Sequence, residues 1–191
     1  MVNLAVLGST KGSDLQAVID AIKAGELPNI NLKVVISNKP EAFILERAEI
    51  AEIETRALPS KGIKDREEYD KKLMAILDEY KIDLILLLGW MRILSKPFVK
   101  KYENRMMNIH PSLLPKYAGG MDLNVHEEVL KNHETESGCT LHYVTEIPDS
   151  GPIIKQKKVA IVKGETPDRL KAKVQAAEQE IIVEALKEYK K

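Results

Sequence analysis

The chain has 191 residues, 29 Lys plus Arg against 29 Asp plus Glu, a formal net charge of zero and a single cysteine. That length points to one α/β domain, or one with a small appendage, able to bury roughly 70% of its unfolded surface. The balanced charge gives no basic field for nucleic acid or membrane, and Cys139 alone excludes an internal disulfide and a cysteine metal cluster.

No apolar run approaches the ~18 residues that span a bilayer, and the N-terminus has no basic region or cleavage site of a leader. The expectation is a cytoplasmic protein without a nucleic-acid or membrane partner.

Leu4 to Leu7 reads as a buried parallel strand. Gly8-Ser9-Thr10-Lys11-Gly12-Ser13-Asp14 follows, and then Leu15, Val18, Ile19 and Ile22 recur at helical spacing. Such a glycine-containing turn into a helix suits an anion, because backbone N–H groups and the positive dipole end point at it. Gly12 permits close backbone approach, and Ser13 adds a hydroxyl. The loop is neither a Walker A loop nor Gly-x-Gly-x-x-Gly, so it supports neither nucleoside triphosphate hydrolysis nor a dinucleotide. It fits equally well an ordinary turn with Ser13 or Asp14 as helix cap.

Leu32 to Ser37 reads as the second strand, Ala42 to Ile50 as a helix, and Glu54 to Leu58 as a short strand stopped by Pro59. Asp65 to Tyr80 is an amphipathic helix with Asp65 as its cap and Arg66 in its first turn. A cation there opposes the dipole, which either a bound anion or plain solvation accommodates. Asp83 to Leu88 is the most apolar segment and reads as the central strand. Gly89-Trp90-Met91-Arg92-Ile93-Leu94 follows its end, as a ligand floor or as ordinary packing.

Met107-Asn108-Ile109-His110-Pro111-Ser112-Leu113-Leu114-Pro115 is the organising stretch. In a strand, Asn108 and His110 project from one face, and Pro111 ends the strand just after His110. Ligands of open α/β sheets bind at such carboxyl ends. Lys116 to Asp122 reads as a flexible loop beside that point, and His126 to Lys131 as a short helix. Ser137 to Thr145 alternates like a strand, with Thr140, His142 and Val144 on one face. Asp149 sits in the turn Ile147 to Pro152, and Ile153 to Val162 pairs back as an antiparallel edge. Thr166-Pro167 opens the last helix. The pattern is α/β: a Rossmann-like, mostly parallel sheet with helices on both faces and an antiparallel C-terminal edge.

No serine nucleophile elbow appears, Cys139 lacks the flanks of a catalytic thiol, and His126, His133 and His142 show no metal-ligand spacing. Asn108, His110 and the acid Asp149 remain as the chemically expressive set.

Asn108 to Pro115 resembles the signature of the folate-dependent formyltransferases, Asp149-Ser150-Gly151-Pro152 resembles their Asp-Gly-Gly-Pro turn, and Met91 to Leu94 resembles their folate-pocket run. The resemblance spans nearly the whole chain. It implies a single formyltransferase domain over residues 1–191, with a nucleotide-phosphate half at 1–100 and a catalytic, folate-binding half at 101–191. It implies transfer of a formyl group from 10-formyltetrahydrofolate to the primary amine of glycinamide ribonucleotide in de novo purine biosynthesis. No metal is needed, and the protein would be a monomer or homodimer. By resemblance Asn108, His110 and Asp149 are catalytic. Gly12, Ser13, Asp14, Arg66, Gln175 and Glu178 would hold the ribonucleotide. Trp90, Met91, Arg92, Ile93, Leu94 and Val144 would hold the reduced folate, whose glutamate tail would meet Arg92 or nearby lysines. Gln175 and Glu178 fit equally the solvated face of the last helix.

Three places depart from the family pattern. Asp14 stands where Asn is common, Trp90 where a smaller aromatic is usual, and the loop from Ala118 to His126 is about two residues longer and lacks its first His. The alternatives are another amine acceptor such as an amino-sugar nucleotide, hydrolysis of formyltetrahydrofolate, and a ligand-binding module without turnover.

Overall fold

The computed structural model describes residues 1–120 and 123–190. Met121 and Asp122, which the sequence places in the loop after Pro115, lie outside the described residues. Strands β1 (Val2–Gly8), β2 (Ile30–Ser37), β3 (Thr55–Ala57), β4 (Leu84–Leu88), β5 (Met106–His110), β6 (Glu136–Tyr143) and β7 (Ile153–Ala160) form one sheet in the order β3-β2-β1-β4-β5-β6-β7. The first five are parallel, and β6 and β7 run antiparallel at the edge.

The helices are α1 (Ser13–Lys23), α2 (Phe43–Ile50), α3 (Arg66–Glu79), α4 (Lys96–Lys101), α5 (Leu123–Lys131) and α6 (Pro167–Glu188). Helix α4 was not anticipated; Ser95 is its N-cap residue and Pro97 lies in its first turn, a position proline tolerates. Helix α5 begins at Leu123, three residues before the expected start. Asp65 caps α3 by accepting from the Glu67 N–H at 2.9 Å, and Thr166 caps α6.

Strand alternation splits the core into two layers. Leu4 and Val6 of β1, Leu84, Leu86 and Leu88 of β4, and Met107 and Ile109 of β5 face the layer packed by α1, α2, α5 and α6. Ala5, Leu7, Ile85, Leu87 and Met106 face the layer packed by α3 and α4. This is why β4 is apolar throughout: both faces are covered. Strand order reverses between β1 and β4, so the loops leaving Gly8 and Leu88 open the crevice where such sheets bind ligands. Ser9 ties those loops together: its N–H donates to the Gly89 carbonyl at 3.1 Å, and its Oγ accepts from the Met91 N–H at 3.3 Å.

Candidate active site

Three groups of residues gather at the carboxyl ends of the parallel strands. The first is built on β5. Register pairs Asn108 with His142 and His110 with Thr140 across the antiparallel β5–β6 ladder. The Asn108 amide donates to His142 Nε2 at 3.1 Å, and His142 Nδ1 donates to the Tyr143 carbonyl at 2.9 Å, which reads as one tautomer. Asp149 bridges the two rings, with Oδ2 at 3.4 Å from His110 Nδ1 and Oδ1 at 3.5 Å from His142 Nε2. Asp149 thus reaches His110, a contact the sequence alone leaves open. His142 is the residue the sequence reading passed over. The alternation of Ser137 to Thr145 puts it on a strand face with Thr140 and Val144, and the pairing of that strand with Asn108 is the signal that finds it.

The turn that delivers Asp149 is tight. Asp149 itself has φ 54°, a left-handed conformation that costs an L-residue on the order of 1 kcal/mol. Gly151 allows the turn to close, because a Cβ there would lie 1.7 Å from the Tyr143 carbonyl oxygen. Left-handed non-glycine residues concentrate where function demands an unusual side-chain direction.

Pro111 onward folds back over the cluster. Thr140 Oγ1 accepts from the Leu114 N–H at 3.0 Å and donates to the Ser112 carbonyl at 2.7 Å, while Gln156 donates to both Thr140 and the Leu114 carbonyl. The Leu114–Pro115 bond is cis. The Tyr117 carbonyl then meets His110 Nε2 at 3.0 Å, and the Gly119 N–H donates to Asp149 Oδ2 at 2.8 Å.

His110 is 3% exposed, and burial pushes its pKa below 6.5, against the opposing pull of Asp149 and of the Tyr117 carbonyl. For Asp149, burial pushes upward, but the adjacent His142 ring, the Gly119 N–H and the charge of His110 outweigh it and hold the carboxyl below its ordinary value. Both nitrogens of His110 face acceptors, so only the imidazolium satisfies both. Burial opposes that second proton in the resting site.

The second group is basic. Met91, Arg92 and Ile93 line a cavity of about 230 Å³ together with Ile63, Lys64 and Arg66. Arg92 lies 4.0 Å over the Tyr69 ring, whose hydroxyl donates to the Leu58 carbonyl, so the guanidinium is held by stacking. Met91 and Ile93 are exposed apolar side chains at this mouth. Trp90, Leu94 and Val144 pack against the α3-side core and do not line the cavity. The ribonucleotide set expected from sequence is therefore divided: Arg66 sits with Arg92 and not in the α1 loop.

The third group is that loop. Gly12 has φ 69°, and a Cβ there would press on Ile44 at 2.6 Å. It is the N-cap of α1 and has no side chain to cap with, while Ser13 and Asp14 lie inside the first turn and are not its cap. Gln175 donates to Ser13 Oγ, and Gln179 donates to the Ser13 carbonyl at 3.4 Å. Glu178 is buried on the same face of α6. Gln175 and Gln179 thus reach the α1 loop from either side of the buried Glu178.

Residues 2–186 match the formyl transferase family. The chain belongs to that family. It is 45% identical over 179 residues to the phosphoribosylglycinamide formyltransferase of Escherichia coli K12, covering 94% of this chain and 82% of that protein. It is 44% identical over 185 residues, 96% of this chain, to the human trifunctional purine biosynthetic protein adenosine-3, of which it spans 18%. The Coxiella burnetii phosphoribosylglycinamide formyltransferase superposes with a TM-score of 0.91 at 44% identity, covering 97% of this chain and 85% of that one. A glycinamide ribonucleotide transformylase from Symbiobacterium toebii gives 0.92 at 36% identity, covering 98% and 86%. As a formyltransferase the chain carries its signature residues on β5 and the turn after β6. Among the described residues no cluster of His, Cys, Asp or Glu could hold a metal ion, and no helix is long and apolar enough to cross a membrane.

Proposed function

We propose that this formyltransferase moves the formyl group of 10-formyltetrahydrofolate onto the primary amine of glycinamide ribonucleotide. The observation that carries the reading is the bridge from Asp149 to both His110 and His142, with Asn108 beside them. The amine nitrogen attacks the formyl carbon, the carbonyl oxygen becomes an oxyanion, and the carbon–N10 bond breaks as N10 takes the proton the amine gives up. Asn108 has a second amide N–H to offer that oxyanion, and His110 takes up a solvent proton as the negative charge forms and returns it when that charge collapses, so only the amine proton passes to N10. Asp149 stabilises the resulting imidazolium and is placed to hold the water that relays the amine proton.

The loop Gly12-Ser13, with Gln175 and Glu178 facing it from α6, takes the ribonucleotide phosphate and ribose. The uncapped α1 start supports this. Met91, Arg92 and Ile93 take the folate, over the packed floor of Trp90, Leu94 and Val144. Lys64, Arg66 and Arg92 supply the positive charge for the glutamate carboxylates. Arg66 is thereby assigned to the folate tail instead of the ribonucleotide. The two halves, 1–100 and 101–191, share the work, because α6 of the second half reaches the phosphate loop of the first. The reading puts the protein in the cytoplasm.

A spectrophotometric assay with 10-formyltetrahydrofolate and a panel of acceptors tests it. Glycinamide ribonucleotide is expected to turn over in wild type and not in His110→Ala. Preference for an amino-sugar nucleotide, or formate release at the same rate without any amine, would overturn the acceptor assignment.

A further inference from the structure

Asp14 follows Ser13 in the first turn of α1. Its Oδ1 is buried without a hydrogen-bond partner. From α6 the Gln179 amide holds the carboxyl, and Glu178 is buried one residue earlier. From β6 the buried Cys139 thiol feels the charges of both Glu178 and Asp14. From α2, Arg47 reaches the start of α1, but its guanidinium is engaged by the Lys11 carbonyl and the Gln16 side chain. His126 is buried on α5, which packs against α6. An ionised Asp14 would add a further carboxylate to this enclosed set, at the place where a phosphate is to bind.

We propose that Asp14 carries a proton when the acceptor's phosphate is bound, so that the ribonucleotide is recognised together with one proton. This rests on reading the α1 loop as the phosphate site. A neutral carboxyl removes the like charge beside the dianion and turns its unmet Oδ1 from an acceptor into a possible donor. Burial already pushes Asp14 up to about 6 in the free protein. A bound dianion pushes it further, since a like charge disfavours ionisation. Below pH 6 the acid is neutral before and after binding. Above it, binding takes up a proton, and affinity weakens as pH rises.

The test is the KM for glycinamide ribonucleotide in wild type and Asp14→Asn from about pH 5.5 to about pH 8.5. The ratio of the two cancels the phosphate's own titration near pH ~6. The ratio of wild type to variant should rise with pH by about tenfold, one unit of differential interaction. A flat ratio overturns the inference while leaving the acceptor reading standing. No transfer to glycinamide ribonucleotide by either protein at any pH overturns both. Wild type alone provides a second measurement: calorimetric binding of ribose 5-phosphate near pH ~7.5 in two buffers of different ionisation heat. Proton uptake is expected, and its absence overturns the proposal without recourse to a variant.

Discussion

His110 is pulled two ways, and its chemistry follows from that tension. Acceptors at both ring nitrogens invite a second proton, and burial resists it until the reaction supplies negative charge. Removing either oxyanion donor, with Asn108→Ala or His110→Ala, should lower kcat by ~10²–10³. Asp149→Ala should act in the same direction, and thermal melts should show all three variants folded. His142→Ala takes away the acceptor that orients the Asn108 amide. It should lower kcat by roughly tenfold, the usual scale of one lost hydrogen bond, and unaltered kcat would remove His142 from the machinery. The sign of the His110 shift also fixes a stability effect. Its folded value lies below 6.5, so its contribution is complete above pH 6.5 and is lost as pH falls through the folded value. Between pH 6.5 and more acid conditions, the Tm of wild type should fall more steeply than that of His110→Gln.

At the scale of elements, the signature loop is secured by one hydroxyl. Thr140 is fully buried on β6 and joins Leu114, Ser112 and Gln156. Thr140→Val keeps the shape but strands a buried N–H and a carbonyl, each costing about 1–3 kcal/mol. For a chain this size the Tm should drop by several degrees, at about 2–4 °C per kcal/mol; an unchanged melt would show that the loop is held elsewhere. The same loop places the Tyr117 carbonyl and Gly119 N–H on the groups that the reaction uses. Engaging His110 and Asp149 with substrate means exchanging those two bonds. Amide hydrogen exchange at Gly119 should therefore change when both substrates, or a bisubstrate analogue, are bound.

Across the whole molecule, what could be read from sequence is what periodicity and punctuation encode. The apolar run at Leu84 to Leu88, the alternation around His142 and the proline after His110 led to the sheet, its antiparallel edge and the position of Asn108 and His110. Long-range pairings were not legible. Nothing local says that Asn108 lies across from His142, that Arg66 shares a cavity with Arg92, or that Gln175 reaches Ser13 across 162 positions of chain. These depend on which strands and helices become neighbours. Asp14 is intermediate: its identity is plain in the sequence, but its burial comes from α6. Ionising it costs folding free energy, because its folded value is raised. That contribution is complete below pH 3.8 and is lost as pH rises through about 6. Asp14→Asn should thus melt higher than wild type above pH 6 and converge with it in acid.

The central claim is that one enzyme-bound cluster passes a formyl group from folate to a ribonucleotide amine. Mass spectrometry of glycinamide ribonucleotide incubated with 10-formyltetrahydrofolate and the wild-type protein tests it most directly. The acceptor should gain one formyl group for each tetrahydrofolate formed. Tetrahydrofolate that accumulates with free formate while the acceptor mass stays unchanged would contradict it.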